Sequence, residues 1–231
     1  MLALCVAVVL GIAGLPSRKT MEASGTLVGN EVRKRAAIRL YDDFHNNLDA
    51  WVPAASNVKN KPAAWASQNG FIQPGPLRLW SETQTLKDYQ FEFAAEIRQK
   101  AVSWAFRASD AANLYACRLE VVRPGPLPEV EFVRFTRAGG IASKPVRRRL
   151  PLTVRADTVY EVKMQVRDSD FLAAVNGVIV DTWSDNTHSK GGVGFWSDAG
   201  ETASLRYASI RERDDFTGRV LADILQPADK K

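Results

Sequence analysis

From residue 41 onward the chain alternates apolar and polar residues in short runs separated by turn residues. In DYQFEFAAEIR, Tyr89, Phe91, Phe93, Ala95 and Ile97 share one parity, and Gln90, Glu92, Ala94 and Glu96 the other. Successive side chains of a strand point to opposite sides, so the run predicts a half-buried strand whose aromatic face meets a core. The same period recurs at residues 102 to 108, 114 to 122, 129 to 135 and 159 to 167, and then in FLAAV, VIVDTW, GVGFW and SLRYASIRE. Between the runs lie Asp-Ala-Ala-Asn, Pro-Gly-Pro, Asp-Ser-Asp and Asn-Gly, which favour turns. Asn176 and Gly177 both tolerate positive φ, which predicts a two-residue hairpin.

About ten short strands thus follow one another with no long helical segment between them. Strands joined by such short links pair antiparallel, because parallel neighbours need long crossovers. The predicted fold class is all-β, an antiparallel two-sheet β-sandwich of jelly-roll type over residues 41 to 213. In FTGRVLADILQPADKK, Phe216, Val220, Leu221 and Leu225 fall at helical spacing, so a short C-terminal helix and a tail are expected over 214 to 231.

MLALCVAVVLGIAGL, at the start, is an apolar run shorter than the roughly twenty residues of a spanning helix and suited to the core of a signal peptide. Residues 1 to 16 are read as a signal peptide or membrane anchor and 17 to 40 as a basic polar linker with helical character near 32 to 40. The domain is then expected outside the cytoplasm, as a secreted, periplasmic or membrane-anchored unit. Arg18 and Lys19 follow the apolar run, where the charge rule for membrane segments favours the cytoplasmic side, so cleavage and anchoring both stay open.

Composition narrows the chemistry. The chain has 231 residues, 45% of them apolar, enough for one ordinary core. Its formal charge of +5 is scattered, and Arg147, Arg148 and Arg149 sit in a proline-bounded segment that reads as solvated loop, which argues against a nucleic-acid partner. Of two cysteines, Cys5 lies in the apolar leader and Cys117 in a strand-like run, so no disulfide framework forms within the domain. Cys117 reads as a small buried hydrophobe. No G-x-S-x-G elbow, Gly-Lys-Ser/Thr phosphate loop or paired His and nucleophile occurs. No cofactor is expected. Asp185, Asn186 and Asp198 offer oxygen ligands for calcium, without the spacing of a calcium loop.

Polar residues on the middle strands supply the candidate site. If Tyr115, Cys117, Leu119 and Val121 face the core, Ala116, Arg118 and Glu120 face away, with Arg107 and Trp104 in the preceding run. A sugar needs flat apolar surface for its C–H faces and charged or amide groups for its hydroxyls, which Trp, Arg and Glu provide. The competing account is that Arg118 and Glu120 form cross-strand ion pairs and that Trp104, in parity with Val102 and Phe106, is core. Trp80, Trp183 and Trp196 end strands beside polar loops, as sugar platforms at a sandwich rim or as plugs of the core. Glu129 and Glu131 lie two apart on one strand face, about 6.7 Å, the nearest approach to a carboxylate pair for glycoside cleavage, and Glu120 and Glu131 are the candidate catalytic residues should the chain be an enzyme.

The segments YDDFHNNLDAW, DYQFEFAAEIR, SWAFRASDAANLYACRLE, FLAAVNGVIVDTWSD and GGVGFWSDAGETASLRYASIRE, taken in order, resemble the concanavalin A-like lectin and glucanase superfamily, with its laminin G-like jelly roll. Within it they resemble the bacterial domain family named for 3-keto-disaccharide hydrolase. The resemblance implies an extracytoplasmic jelly roll whose concave sheet often meets carbohydrate. Glucanases of this kind carry a Glu-x-Asp-x-Glu pattern along one strand, which this chain lacks. The expected function is therefore binding of a carbohydrate or glycan-bearing surface, through Trp80, Arg107, Arg118, Glu120, Trp183, Trp196 and Asp198. A glycoside-cleaving enzyme and a structural or protein-interaction module are the alternatives.

Gly192-Val193-Gly194 runs into Phe195, Trp196 and Ser197 rather than into a helix, which excludes a dinucleotide loop. Gly194 is expected to permit close approach of a neighbouring strand or ring. In the last strand, Leu205 and Tyr207 are expected on one face.

Overall fold

The computed structural model describes residues 37 to 54, 64 to 68 and 71 to 213. The apolar leader, most of the basic linker and the expected C-terminal helix lie outside the described residues. One compact unit covers Ile38–Glu212.

The described residues form sixteen strands: β1 (Ala37–Asp42), β2 (Trp51–Pro53), β3 (Ala66–Gln68), β4 (Phe71–Gln73), β5 (Arg78–Trp80), β6 (Tyr89–Gln99), β7 (Ala101–Ala108), β8 (Leu114–Arg123), β9 (Glu129–Ala138), β10 (Ile141–Ala142), β11 (Val146–Arg149), β12 (Val159–Arg167), β13 (Asp170–Val175), β14 (Val178–Ser184), β15 (Gly192–Trp196) and β16 (Thr202–Arg213). A single 3₁₀ turn, Ser81–Thr83, follows β5. The first sheet runs β14-β13-β12-β6-β16-β4-β3, with β1 also on β16. The second runs β10-β9-β8-β7-β15-β5-β2, with β11 also on β9. This is the antiparallel jelly-roll sandwich that the alternation predicts. The surplus over ten strands comes from pieces such as β2, β3, β5 and β10, of two or three residues, too short to show a period. β1 begins inside the stretch read as linker, where Ala37 to Leu40 form strand rather than helix.

Each long strand places its predicted face inward. Tyr89, Phe91, Phe93, Ala95 and Ile97 of β6 join Tyr160, Val162, Met164 and Val166 of β12 and Val102, Trp104 and Phe106 of β7 in one core. Phe93 meets Phe195 edge-on at 4.9 Å and Trp104 at 5.1 Å, the offset arrangement that ring quadrupoles favour. Cys117 is fully buried among them, and burial pushes its thiol well above the usual range. The Asn176-Gly177 hairpin forms as predicted, with φ of 48° and 78°.

Two local slips reverse the simple parity. In β16 the register shifts between Leu205 and Tyr207, so Leu205, Ala208 and Ile210 point inward while Tyr207 points out and stacks on Tyr41 at 5.9 Å. The expectation that Leu205 and Tyr207 share a face fails for that reason: a bulge adds one residue and flips the alternation behind it. In β7 and β15, Ala108 pairs with Gly192 and Ala105 with Gly194, leaving two residues opposite one. That second bulge determines where Arg107 goes.

Candidate functional site

Pairing across the second sheet sets its outer side chains in rows. One row reads Phe135, Ala116, Ala105, Gly194 and Leu79 across β9, β8, β7, β15 and β5. The next reads Val133, Arg118, Ser103 and Trp196. Ala105 and Ala116 are fully buried although they face away from the main core, and with Leu79, Ala108 and Leu114 they form a second apolar cluster. Half-buried Phe135 and Trp196 pack against its edges. Those two residues stand three strand spacings apart across the sheet, roughly 14 Å, and one row apart along it. The result is a closely packed floor of small residues, itself without exposed surface, between two half-buried rings.

The floor depends on Gly194. A Cβ there would strike the Arg78 carbonyl oxygen and come within 2.7 Å of Leu79 Cδ2. The expected close approach is thus between β15 and β5.

Charge lines one side of this floor. Arg118 reaches Asp198 Oδ2 at 2.5 Å and Glu201 Oε1 at 3.0 Å, while Glu201 also accepts from the Ser103 hydroxyl and the Asp198 amide. Farther along, Glu120 and Glu131 stand opposite each other, and Arg147 Nη1 donates to both. Those glutamates hold the Arg147 guanidinium still more firmly protonated. Glycoside cleavage needs one carboxyl group free to meet the glycosidic oxygen, and here one guanidinium nitrogen engages both carboxylates.

The structure brings Arg118, Glu120, Glu131, Trp196 and Asp198 to this face. Other expected residues go elsewhere. Trp80 is 2% exposed and stacks on Trp51 at 5.2 Å, so it is core and offers no platform. Trp183 packs on Phe171, Phe106 and Phe132 at the sandwich edge, with the Arg134 guanidinium 4.7 Å over its ring. Arg107 is 2% exposed, turned off the outer face by the β7 bulge. Trp104 is core, as its parity indicates. The suggested oxygen ligands do not converge: Asp185 accepts from Tyr115, Thr136 and Thr187, whereas Asp198 faces Arg118. Among the described residues no group of three or more His, Cys, Asp or Glu is placed to hold a metal ion.

Sequence reasoning missed Phe135, Ser103 and Glu201. Phe135 could have been found, since Phe132 and Phe135 differ in parity and one of them must face outward. Glu201 meets Ser103 across 98 positions of chain, which no local pattern shows.

The fold is that of the concanavalin A-like jelly rolls. Among solved structures it is similar to a carbohydrate-binding module, CBM66, from Bacillus subtilis, with 22% identity and a TM-score of 0.50 over 67% of this chain and 96% of that one. It is also similar to the Bacillus licheniformis beta-glucanase, at 12% identity, a TM-score of 0.54, and 76% and 98% coverage. A Bacillus subtilis protein of unknown function with a galectin-like fold gives 12% identity, 0.55, and 76% and 95%. No family model and no curated protein matches the chain, and the narrower resemblance to 3-keto-disaccharide hydrolases gains nothing from these comparisons.

Proposed function

We propose that this chain is a carbohydrate-binding domain that takes a glycan on the outer face of its second sheet. The observation that carries this reading is the pair of half-buried rings, Phe135 and Trp196, on the outer face of one sheet, beside the Arg118, Asp198 and Glu201 cluster. Pyranose rings offer C–H faces to aromatic side chains and hydroxyls to charged groups, so both halves of the site have a partner. The similarity in fold to a carbohydrate-binding module supports it. Display outside the cytoplasm belongs to the same proposal and rests on the apolar run at residues 1 to 15.

Glycoside cleavage is the second reading, favoured by the opposed Glu120 and Glu131. Arg147 between them argues for binding instead.

A glycan array probed with the purified chain tests the proposal. Selective binding is expected, falling at least about tenfold in Trp196→Ala and in Arg118→Ala. Equal signal from every glycan, or selectivity that both variants keep, would rule out this face. Release of reducing sugar from a bound glycan, lost in Glu120→Gln, would move the assignment to the enzyme.

A further inference from the structure

Arg107 is the one non-glycine residue with positive φ, 45°, that lies within a strand among the described residues. The others, Phe44, Lys100, Asp168 and Asn176, sit in turns and loops between strands. Bulges that require this backbone conformation usually place glycine there. Here glycine is across the bulge instead: a Cβ on Gly191 would lie 2.5 Å from the Arg107 carbonyl carbon.

The bulge turns a side chain that would lie on the sheet face toward one end of the sandwich. There Arg107 Nη1 donates to the His188 carbonyl at 3.1 Å and Nη2 to the Lys87 carbonyl at 3.0 Å, over the face of Phe171. The Asp88 carboxylate stands 3.7 Å from Nη2, too long for a hydrogen bond. Arg107 Nε is buried with no hydrogen-bond partner. Stability alone does not select this arrangement, because a buried guanidinium with an unsatisfied N–H and a strained backbone both cost free energy.

Arg107 lines a cavity of about 320 Å³, near the lower end of the roughly 300 to 1,000 Å³ of small-molecule sites. The cavity mouth is exposed, at Lys87, Asp168, Asn186 and Ser189, and the arginine is not. Two cations, Lys87 and Arg107, share the lining with two carboxylates, Asp88 and Asp168. An anionic ligand would meet the carboxylates and a cationic one the Lys and Arg. A neutral polyhydroxyl compound suits both, since each hydroxyl accepts from a cation and donates to a carboxylate. We infer that this cavity is a second site, which binds one residue of a neutral sugar or similar polyol, with Arg107 as its anchor. It shares no residue with the outer-face site and stands without it.

The test titrates the full chain with glucose, galactose, mannose and fructose, and with glucuronate and glucosamine as charged counterparts, by calorimetry. Asn186→Trp fills the exposed mouth, while Lys87→Met removes one cation without touching the core. At least one neutral sugar is expected to bind saturably, and to lose about tenfold or more in affinity in both variants. Trp196→Ala reports on the outer face. A loss in Trp196→Ala alone overturns the cavity site and leaves the face site standing, and a loss in the two cavity variants alone assigns the bound sugar to the cavity and leaves the face to the array. Saturable binding of none of the neutral sugars, or of glucuronate or glucosamine only, also overturns it.

Discussion

Glu120 and Glu131 face each other on adjacent strands, and one nitrogen of Arg147 joins them, at 2.8 and 3.0 Å. Like charges directly opposite on a sheet repel, so the arginine of the edge strand β11 turns a destabilising pair into a bridged triad. Arg147→Met should cost about 1 kcal/mol at low ionic strength, given the partial exposure of all three groups. The loss should shrink in high salt, where the uncompensated repulsion is screened. Urea midpoints measured at two salt concentrations check both the size and the trend.

The two sheets are joined at one edge by Arg134 and Asp181, 2.7 Å apart, with Asp181 almost fully buried. Removing one partner leaves a desolvated charge, so Asp181→Ala should destabilise the domain by about 2–4 kcal/mol. Replacing both, as Arg134→Met with Asp181→Leu, should cost clearly less than the single change. Chemical denaturation of the three variants measures the difference.

Gly194→Ala should be destabilising by about 1–3 kcal/mol, because the added methyl meets backbone of β5 rather than a movable side-chain end. The same change should weaken glycan binding on the outer face, since β15 carries Trp196. Thermal unfolding and the array signal of this variant are the two readouts.

Asp185 gives the fold a pH dependence with a defined sign. Burial works against its charge, but hydrogen bonds from the Thr187 hydroxyl and amide, from Tyr115 and from Thr136 outweigh it and hold the carboxyl below its ordinary value. A group whose value is depressed on folding stabilises above its unfolded value and loses that contribution as pH falls through the folded one. Asp185→Asn should therefore cost about 1–3 kcal/mol at neutral pH and flatten the acid limb of the stability curve below about pH 4. Tyr115, the partner of Asp185, is pushed up to about 12 by burial, so its contribution holds below the unfolded value and is lost as pH rises through the folded one. Unfolding followed across the pH range, in the native chain and in Asp185→Asn, resolves the acid-side effect.

The long strands were legible because period-two alternation sets which face meets the core, and in β12 and the first half of β6 burial follows it residue by residue. β7 is buried on both faces, which alternation alone did not show. Arg107 and Tyr207 were misplaced for a shared reason. A bulge is decided by the strand next door, as when Gly191 leaves room for the Arg107 backbone, and parity within one run carries no record of it. Trp80, Trp183 and Trp196 look alike in sequence, each ending a strand beside polar residues. Which of them faces outward depends on what packs over it: Trp51 covers Trp80, and Arg134 with three aromatic rings encloses Trp183. The paired outer rows of β8, β7 and β15 needed the cross-strand register, which joins residues far apart in the chain.

Trp51 lies directly opposite Trp80 across the β2–β5 ladder, its ring stacked at 5.2 Å and 25°, with Trp65 and Phe195 also against it. Indoles held that close share their excited states, so the pair should give a coupled circular-dichroism band that vanishes when β2 peels from the sheet edge. The domain thereby carries an intrinsic optical reporter of its own outermost strand. Fraying of that edge can be timed without a label, separately from collapse of the whole sandwich.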